Sequence, residues 1–291
     1  MEKPVRIVTD SMIGMKLPDY ARLSPLVVTV LGHNPSAFTG PGTNTYLIGS
    51  GDRPILLDTG QGVPIWADML VVALKDVCNA SGLDRIVLTH AHVDHIGGVS
   101  QVRERFGRVE VLKMPWPGHD APAGKPMSSL GDGSVVKGQG VTLRAIHTPG
   151  HAPDHLCYYL EEERALFTGD VVLGAGTTVI PDDTGDLGEY MNSLRRLLEL
   201  ELDTIYPAHG PVIRNPREKI REYIAHRELR ERQVLDALSD GPLEVMAIVK
   251  RIYVDVPEYL HPAAASSVRS HLKKLGKEGR VAEHERHWSI N

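Results

Sequence analysis

The sequence carries histidines and aspartates that follow short apolar runs at four separate places in the chain. The densest cluster is Thr-His-Ala-His-Val-Asp-His at 89–95, directly after Arg-Ile-Val-Leu, and three single residues follow other runs: His151, Asp170 and His209. Short apolar runs that end in turns are typical of buried strands. The pattern therefore predicts that four strand ends bring nitrogen and carboxylate ligands together, as zinc and similar divalent ions require.

The number of candidate ligands predicts two metal ions rather than one, because a single tetrahedral ion with an open position binds fewer side chains. We assign three ligands to one ion, three to the other and one carboxylate to a bridge: His90, His92 and His151; Asp94, His95 and His209; and Asp170. Histidine favours zinc, and a bridging carboxylate also admits iron or manganese. The glycines Gly97 and Gly98 follow at once and predict a close backbone approach beneath the site.

Three further roles follow from the same pattern. A hydroxide that bridges two ions would be the nucleophile, and Asp94 is predicted to accept the proton because it would lie beside that oxygen. His155, in His-Ala-Pro-Asp-His, is close enough to His151 either to donate a proton to a leaving group or to orient a ligand; a structural role is the alternative. Asp58, in Ile-Leu-Leu-Asp-Thr-Gly, is predicted to orient a metal-binding histidine; a turn residue at a strand end is the alternative.

These residues resemble the catalytic motifs of the metallo-β-lactamase superfamily. In chain order, the five motifs are matched by Asp58, residues 90–95, His151, Asp170 and His209. The resemblance implies an α/β fold, an αββα sandwich of two sheets between helices, with the metals at one edge. Many true lactamases of this fold place a cysteine near Asp170. The aspartate therefore resembles the hydrolases of the superfamily, namely glyoxalase II, lactonases, thioesterases and nucleases.

Longer stretches are similar to one group within that superfamily, the lactamase-beta-like protein 2 group. The similar stretches are residues 42–49, 168–179, 190–194, 206–213 and 219–233. Animal members of the group resemble zinc-dependent endoribonucleases of single-stranded RNA, and fungal relatives resemble thioesterases that release polyketides from a carrier protein. The resemblance thus implies an endoribonuclease, with a thioesterase or related acyl hydrolase (glyoxalase II-like or lactonase) as the alternative. A non-catalytic binding module is disfavoured, because every metal-ligand position is filled.

Composition bounds the partners and the location. The net charge of −5 weighs against a nuclease, because nucleic-acid binders usually present a basic face, although a local basic patch stays open. Two cysteines, an N-terminus without a signal-peptide core and the lack of a long apolar run predict a cytoplasmic protein without a membrane segment. The expected partners are single-stranded RNA or a small acyl substrate.

The chain changes character after residue 214, so we expect a catalytic domain over 1–214 and a helical domain over 215–291. The second part predicts a charge-rich helix at 217–238, a helix at 243–253, a third helix that opens at Pro262 and a short strand or hairpin at 280–290. Three helices and a hairpin resemble a winged-helix module. The third helix carries cations that predict either a phosphate-contacting face or a solvated helix end: Arg269, Lys273, Lys274, Lys277 and Arg280. The module could also cover the active-site mouth or form a homodimer.

Residues 115–140 are rich in Gly, Pro and Ser and predict a long irregular loop. Such a loop either contributes substrate contacts through Trp116 or His119 or is a surface excursion. Residues 63–80 have apolar positions at helical spacing and predict a helix against the sheet. Residues 1–24 lack periodicity and predict a surface arm or an extra strand.

Overall fold

Buried strands dominate the first two-thirds of the chain. The computed structural model describes residues 12, 14–258 and 261–291. Among these, a seven-stranded sheet follows chain order: β1 (Tyr20–Arg22), β2 (Val27–Leu31), β3 (Asn44–Ile48), β4 (Ile55–Leu57), β5 (Ile86–Val87), β6 (Val111–Lys113) and β7 (Met127–Ser129). Strands β1 to β4 pair antiparallel, whereas β4 to β7 pair parallel. The carboxyl ends of strands β4 to β7 therefore lie at the same edge of this sheet.

A second sheet has five described strands: β8 (Val135–Gly138), β9 (Val141–His147), β10 (Leu156–Leu160), β11 (Ala165–Gly169) and β12 (Thr204–Pro207). Their order in the sheet is β12-β11-β10-β9-β8, and only β11 and β12 pair parallel. Valine, threonine, isoleucine and aromatic residues are frequent in these strands, as is typical of pleated sheets. Side chains of both sheets form one apolar cluster, in which the Tyr46 and Phe167 ring centroids lie 5.1 Å apart.

Helices cover the other face of the first sheet. They are α1 (Pro64–Val72), which continues as a π-helical turn (Ala73–Val77), α2 (Val93–Ile96) and α3 (Val99–Phe106). The helix expected over 63–80 is confirmed in position and changes to π geometry after Val72. Trp66 is fully buried in this layer, and its indole Nε1 donates to Thr45 Oγ1 at 3.0 Å. The indole therefore fixes α1 against the sheet through both packing and a hydrogen bond.

The junction of α2 and α3 is tightly packed. A Cβ on Gly97 would lie 2.7 Å from Gln61 O, and a Cβ on Gly98 would lie 2.1 Å from Thr59 O. Real Cβ contacts are longer than this, so only glycine allows the backbone to approach. The close approach that the sequence predicts at these two positions is confirmed.

The expectation of one irregular loop over 115–140 is wrong in part. A 3₁₀ turn (Ala121–Ala123), β7 and β8 lie within it. Each strand is only three or four residues long, and its exposed positions blur the apolar alternation, so the sequence signal is weak. At the N-terminus, Tyr20–Arg22 is the edge strand β1, while residues 1–11 and 13 lie outside the described residues.

The contacts of the chain divide it into two compact units. The first contains residues 1–148, 154–178 and 200–219, with both sheets described above. The second contains residues 149–153, 179–199 and 220–291. A single division at residue 214/215 stays a proposal from sequence, and the grouping adds two internal segments to the C-terminal residues.

The second unit contains helices and a small sheet. Its elements are α4 (Leu187–Leu197), α5 (Pro216–Leu238, within the unit from residue 220), β13 (Leu243–Glu244), α6 (Val245–Ile252), α7 (His261–Lys277), β14 (Val281–His284) and β15 (His287–Ile290). The sheet order is β13-β15-β14, and apolar side chains of α5, α6 and α7 such as Leu238, Ile248 and Leu272 form a core of their own. Three helices with a terminal hairpin confirm the expected winged-helix arrangement. Of the helices in the described ranges, none combines the length and apolar composition that a bilayer crossing requires.

Candidate metal centre

The candidate ligands of the first unit follow the ends of its strands. Asp58 comes directly after β4, His90 follows β5, Asp170 comes directly after β11, and His209 follows β12. His92 is the residue before α2, which carries Asp94 and His95 in its single turn. A two-residue strand followed by a one-turn helix leaves the intervening loop little freedom, so its side chains are held close together.

One group consists of His90, His92 and Asp170, whose candidate ligand atoms all lie within 4.8 Å of one another. His90 Nε2 lies 2.9 Å from His92 Nδ1. Burial, together with the neighbouring His95 and His92, holds the pKa of His90 well below its usual value. His90 is therefore neutral, the form in which imidazole binds a metal.

A second group consists of Asp94, His95 and His209, again with candidate ligand atoms within 4.8 Å of one another. His95 Nε2 lies 3.3 Å from Asp94 Oδ2 and 3.4 Å from Asp170 Oδ1. His209 Nε2 lies 3.3 Å and 3.1 Å from the same two oxygens. The carboxylate of Asp170 thus lies beside both groups, where the sequence predicts a bridge.

The charges in this centre act strongly on one another. Burial raises the pKa of Asp94, but the charge of His95 and the close contacts of this carboxylate with His209 and His95 lower it well below its usual range. Burial likewise raises the pKa of Asp170, and His209 and His95 more than reverse this. Burial lowers the pKa of His209, but Asp170 and then Asp94 raise it to about 9. Two largely buried carboxylates therefore require positive charge beside them, from protons or from metal ions.

The donor set fits divalent ions. His95 Nε2 is completely buried and has no hydrogen-bond partner among the described residues, although it faces two carboxylates. An unpartnered buried nitrogen is costly in a native structure. A cation among His95, Asp94 and Asp170 would remove that cost, and the mixture of imidazole and carboxylate suits zinc, iron or manganese.

His151 belongs to the short segment 149–153 of the second unit. Its side chain is buried, and its Nδ1 donates to Val179 O at 2.7 Å. An imidazole that donates from Nδ1 carries its lone pair on Nε2, the arrangement of a metal-binding histidine held by a backbone carbonyl. The ligand role of His151 stays a prediction.

Asp58 holds the loop that carries the ligands. Its Oδ1 accepts from Thr89 N and its Oδ2 from Thr89 Oγ1, both at 2.8 Å, and Oδ2 lies 2.8 Å from His95 Nδ1. The residue itself has a φ of 57°, so it is also a strained turn residue. The positive φ agrees with a turn residue at a strand end, and we propose that Asp58 also orients His95 towards a metal.

His155 is fully buried behind the centre. Its Nε2 accepts from Asp170 N at 3.1 Å, and its Nδ1 lies 2.9 Å from Thr148 Oγ1. Because both ring nitrogens are engaged, we favour the second role that the sequence leaves open, orientation of the ligand Asp170. The proton-donor role stays a prediction that this geometry does not support.

Three residues outside the predicted ligand set support the centre. Thr43 Oγ1 donates to Asp94 Oδ2 at 3.1 Å, and Asn44 Nδ2 donates to the backbone oxygens of Pro207 and Gly210 on either side of His209. Thr89 Oγ1 bonds Asp58, as described above. The sequence does draw attention to Thr43 and Asn44, because both lie in residues 42–49, one of the stretches that carry the family resemblance. Nothing in that stretch says which ligand each side chain supports.

A loop beside His92 carries two stacked rings. The centroids of Trp116 and His119 lie 3.8 Å apart with an angle of 19° between the rings, and Trp116 lies 6.3 Å from His92. Two contacts of Asp120 hold this loop. Its Oδ2 accepts from Trp116 N at 2.7 Å, and its Oδ1 pairs with the buried ammonium of Lys113 at 2.5 Å. The ion pair of Lys113 and Asp120 therefore holds this loop, and with it the two rings, in place.

Comparison with known families agrees with this centre. Residues 38–209 match the model described as "Metallo-beta-lactamase superfamily", and residues 245–288 match "Beta-lactamase associated winged helix domain". The two matches lie on the sheet-bearing part of the chain and on its C-terminal helices and hairpin.

Known proteins resemble almost the whole chain. A Caenorhabditis elegans protein named "Beta-lactamase-like protein 2 homolog" is 41% identical over 267 residues, which is 89% of this chain and 87% of the relative. An Aspergillus chevalieri protein named "Atrochrysone carboxyl ACP thioesterase" is 42% identical over 91% of this chain and 86% of its own length. The crystal structure of a "Beta-lactamase domain protein" from Burkholderia ambifaria covers 96% of both chains with a TM-score of 0.83 at 20% identity, which concerns the fold alone.

Substitution of Asp58 by Asn tests its support of His95. The amide keeps the shape but replaces one acceptor oxygen with a donor, so His95 Nδ1 and Thr89 lose a common acceptor. We expect the affinity for one divalent ion to fall by about 10- to 100-fold, measured by chelator competition. Asp52→Asn, at a carboxylate that bonds Ser81 on the surface, is the control. Equal affinity in the Asp58→Asn variant and the wild type would contradict the assignment.

Proposed function

The chain belongs to the metallo-β-lactamase superfamily of hydrolases, and we propose that it is a dinuclear metal-dependent endoribonuclease that cleaves single-stranded RNA. The observation that carries the hydrolase chemistry is the pair of adjacent ligand groups around the largely buried carboxylates of Asp94 and Asp170. Carboxylates with so little exposure require positive charge beside them. Two divalent cations suit that demand.

Each candidate ligand has a proposed place. His90, His92 and His151 would hold one ion, Asp94, His95 and His209 the other, and Asp170 would lie between them. Bound there, the ions would supply Lewis acidity and a water of lowered pKa. Asp94 stays ionised in this surrounding, since its pKa is lowered well below the usual range. That favours its role as a ligand over its predicted role as proton acceptor, because an effective base has a pKa near the working pH.

RNA as the substrate is supported by the stacked rings of Trp116 and His119. Aromatic side chains are platforms for nucleotide bases, and the pair lies beside His92, at the position of one ligand group. The cations of α7 do not offer a comparable phosphate surface, because the nearby acids engage them: Lys274 pairs with Glu231, and Lys277 pairs with Asp186. We therefore place the RNA contact at Trp116 rather than at α7.

An acyl substrate is the second candidate. The Aspergillus chevalieri relative whose name states a thioesterase is as similar to this chain as the relative named for the lactamase-like group. The same two ligand groups would serve a thioester or a lactone. In that case Trp116 would be the wall of an acyl site rather than a platform for bases.

Finer expectations also belong to this proposal. We propose zinc as the metal, since five of the seven candidate ligands are histidines. We propose a cytoplasmic location, since two cysteines are too few for a disulfide framework. A homodimer stays a prediction.

A parallel assay tests the substrate. The zinc- or manganese-loaded protein is incubated with end-labelled single-stranded RNA and with acyl thioesters. We expect RNA cleavage that falls by at least about 100-fold in His90→Ala and in Asp94→Ala, since even contacts outside the ligands are worth 10- to 100-fold. His287→Ala, at an exposed histidine of β15, is the matched control. Thioester turnover without RNA cleavage would overturn the endoribonuclease and favour the acyl hydrolase.

Substitution of Trp116 by Ala tests the stacking platform. One base stacked on an aromatic ring contributes about 1–3 kcal/mol, so we expect kcat/KM for RNA to fall by about 5- to 150-fold. Trp116→Phe retains a ring and is expected to recover most of the loss, while the metal content of both variants equals that of the wild type. Equal kcat/KM for Trp116→Ala and the wild type would contradict the platform.

A further inference from the structure

One acidic segment of the second unit lies between α7 and the residues that carry His151. We call residues 179–186, Val-Ile-Pro-Asp-Asp-Thr-Gly-Asp, the acidic loop. We propose that α7 positions His151 through the acidic loop, so that charged side chains of the winged-helix module control one metal ligand. The proposal rests on the proposed function for the ligand role of His151; the contacts that carry it lie within the second unit.

The first link joins α7 to Asp182. Ser266 Oγ donates to Asp182 Oδ1 at 3.0 Å, and Arg269 Nε donates to Asp182 Oδ2 at 2.6 Å. Lys273 Nζ donates to the backbone oxygen of the same residue at 2.5 Å. Both carboxylate oxygens and the carbonyl of one aspartate are thus held by three side chains of a single helix.

Two more contacts extend this link along the loop. Ser270 Oγ donates to Ile180 O at 3.2 Å, and the Lys277 ammonium pairs with the Asp186 carboxylate. The five contributing positions of α7 are 266, 269, 270, 273 and 277. Steps of three and four residues lie on one face of a helix, so a continuous face of α7 holds the acidic loop from residue 180 to residue 186.

The second link joins the acidic loop to the segment 149–153. The backbone oxygen of Val179 accepts from His151 Nδ1 at 2.7 Å. At the other end of the loop, Asp186 N donates to Gly150 O at 2.8 Å. The two ends of the acidic loop therefore fix the ring of His151 and the backbone next to it.

The backbone of residues 149–153 is packed too closely on α4 to follow a shift of the acidic loop. A Cβ on Gly150 would lie 2.3 Å from Tyr190 N, so the backbone there packs directly on α4. Ser193 Oγ donates to Pro149 O at 2.8 Å. Because Gly150 is clamped against α4, a shift of Val179 is expected to rotate the imidazole of His151 rather than to move its whole segment.

The charged contacts between α7 and the acidic loop are partly exposed to solvent, so they are expected to contribute more to the position of the loop than to the stability of the fold. The Arg269 side chain is 42% exposed and that of Asp182 is 31% exposed. A cavity of about 290 Å³, lined by Lys273, Lys277 and Asp186 among others, also admits solvent beside them. Ion pairs in water contribute little to the free energy of unfolding. Their loss is therefore expected to disturb the orientation of His151 more than the fold.

The experiment replaces Arg269 by Met in the full chain and uses Lys274→Met as the matched control. Lys274 is a cation of the same helix that pairs with Glu231 and Glu278 instead of the acidic loop. Arg269→Lys retains a donor for Asp182 and is the conservative variant. Two quantities are measured: hydrogen exchange of the metal-free protein, and zinc retention against a chelator.

In Arg269→Met we expect the Asp186 amide, which donates to Gly150, to exchange about ten-fold faster than in the wild type. One of the two zinc ions is expected to bind about ten-fold more weakly, while the thermal midpoint stays within a few degrees. Lys274→Met is expected to show neither change, and Arg269→Lys to restore both. Unchanged exchange and zinc affinity in Arg269→Met, or equal changes in Lys274→Met, would overturn the inference.

The two proposals fail differently. A wild-type protein that binds fewer than two ions contradicts the dinuclear hydrolase, whereas the exchange of the Asp186 amide in the metal-free protein still decides whether α7 holds the acidic loop. A wild-type protein with two ions and an Arg269→Met variant that equals it in both readouts contradicts only the inference about α7.

Discussion

The attraction between two largely buried carboxylates and the imidazoles around them is the interaction on which the site depends. The side chains of Asp94 and Asp170 are only 17% and 13% exposed, and His95 and His209 each face both of them. Charged groups survive such burial only when opposite charge compensates them. The negative charge of Asp170 and Asp94 raises the pKa of His209 to about 9. The same negative charge attracts divalent cations.

The fold provides this arrangement through short strands with constrained ends. Asp58, placed directly after β4, bonds Thr89 and His95 in the loop after β5, and so ties two neighbouring strand ends together. His155 does the same on the second sheet, where it accepts from the backbone of Asp170. Residues outside the ligand set therefore determine where the ligand atoms lie, as is general for metal sites.

Much of this could be predicted from the sequence, because ligand type and strand-end position are local features. The close approach at Gly98 and the three helices with a terminal hairpin were also accessible from residue type and periodicity. The engagement of Arg269 and Lys273 by the acidic loop was not, since a cation on a helix gives the same pattern whether it contacts phosphate, water or an aspartate 87 residues away. The buried pair of Lys113 and Asp120 was hidden for the same reason: its burial depends on tertiary packing.

The most direct measurement of the central claim is anomalous diffraction at the zinc edge from crystals of the zinc-loaded protein. The account predicts two peaks in each chain, one beside His90 and His92 and the other beside His95 and His209, with Asp170 next to both. A single peak, no peak, or peaks away from these side chains would contradict it.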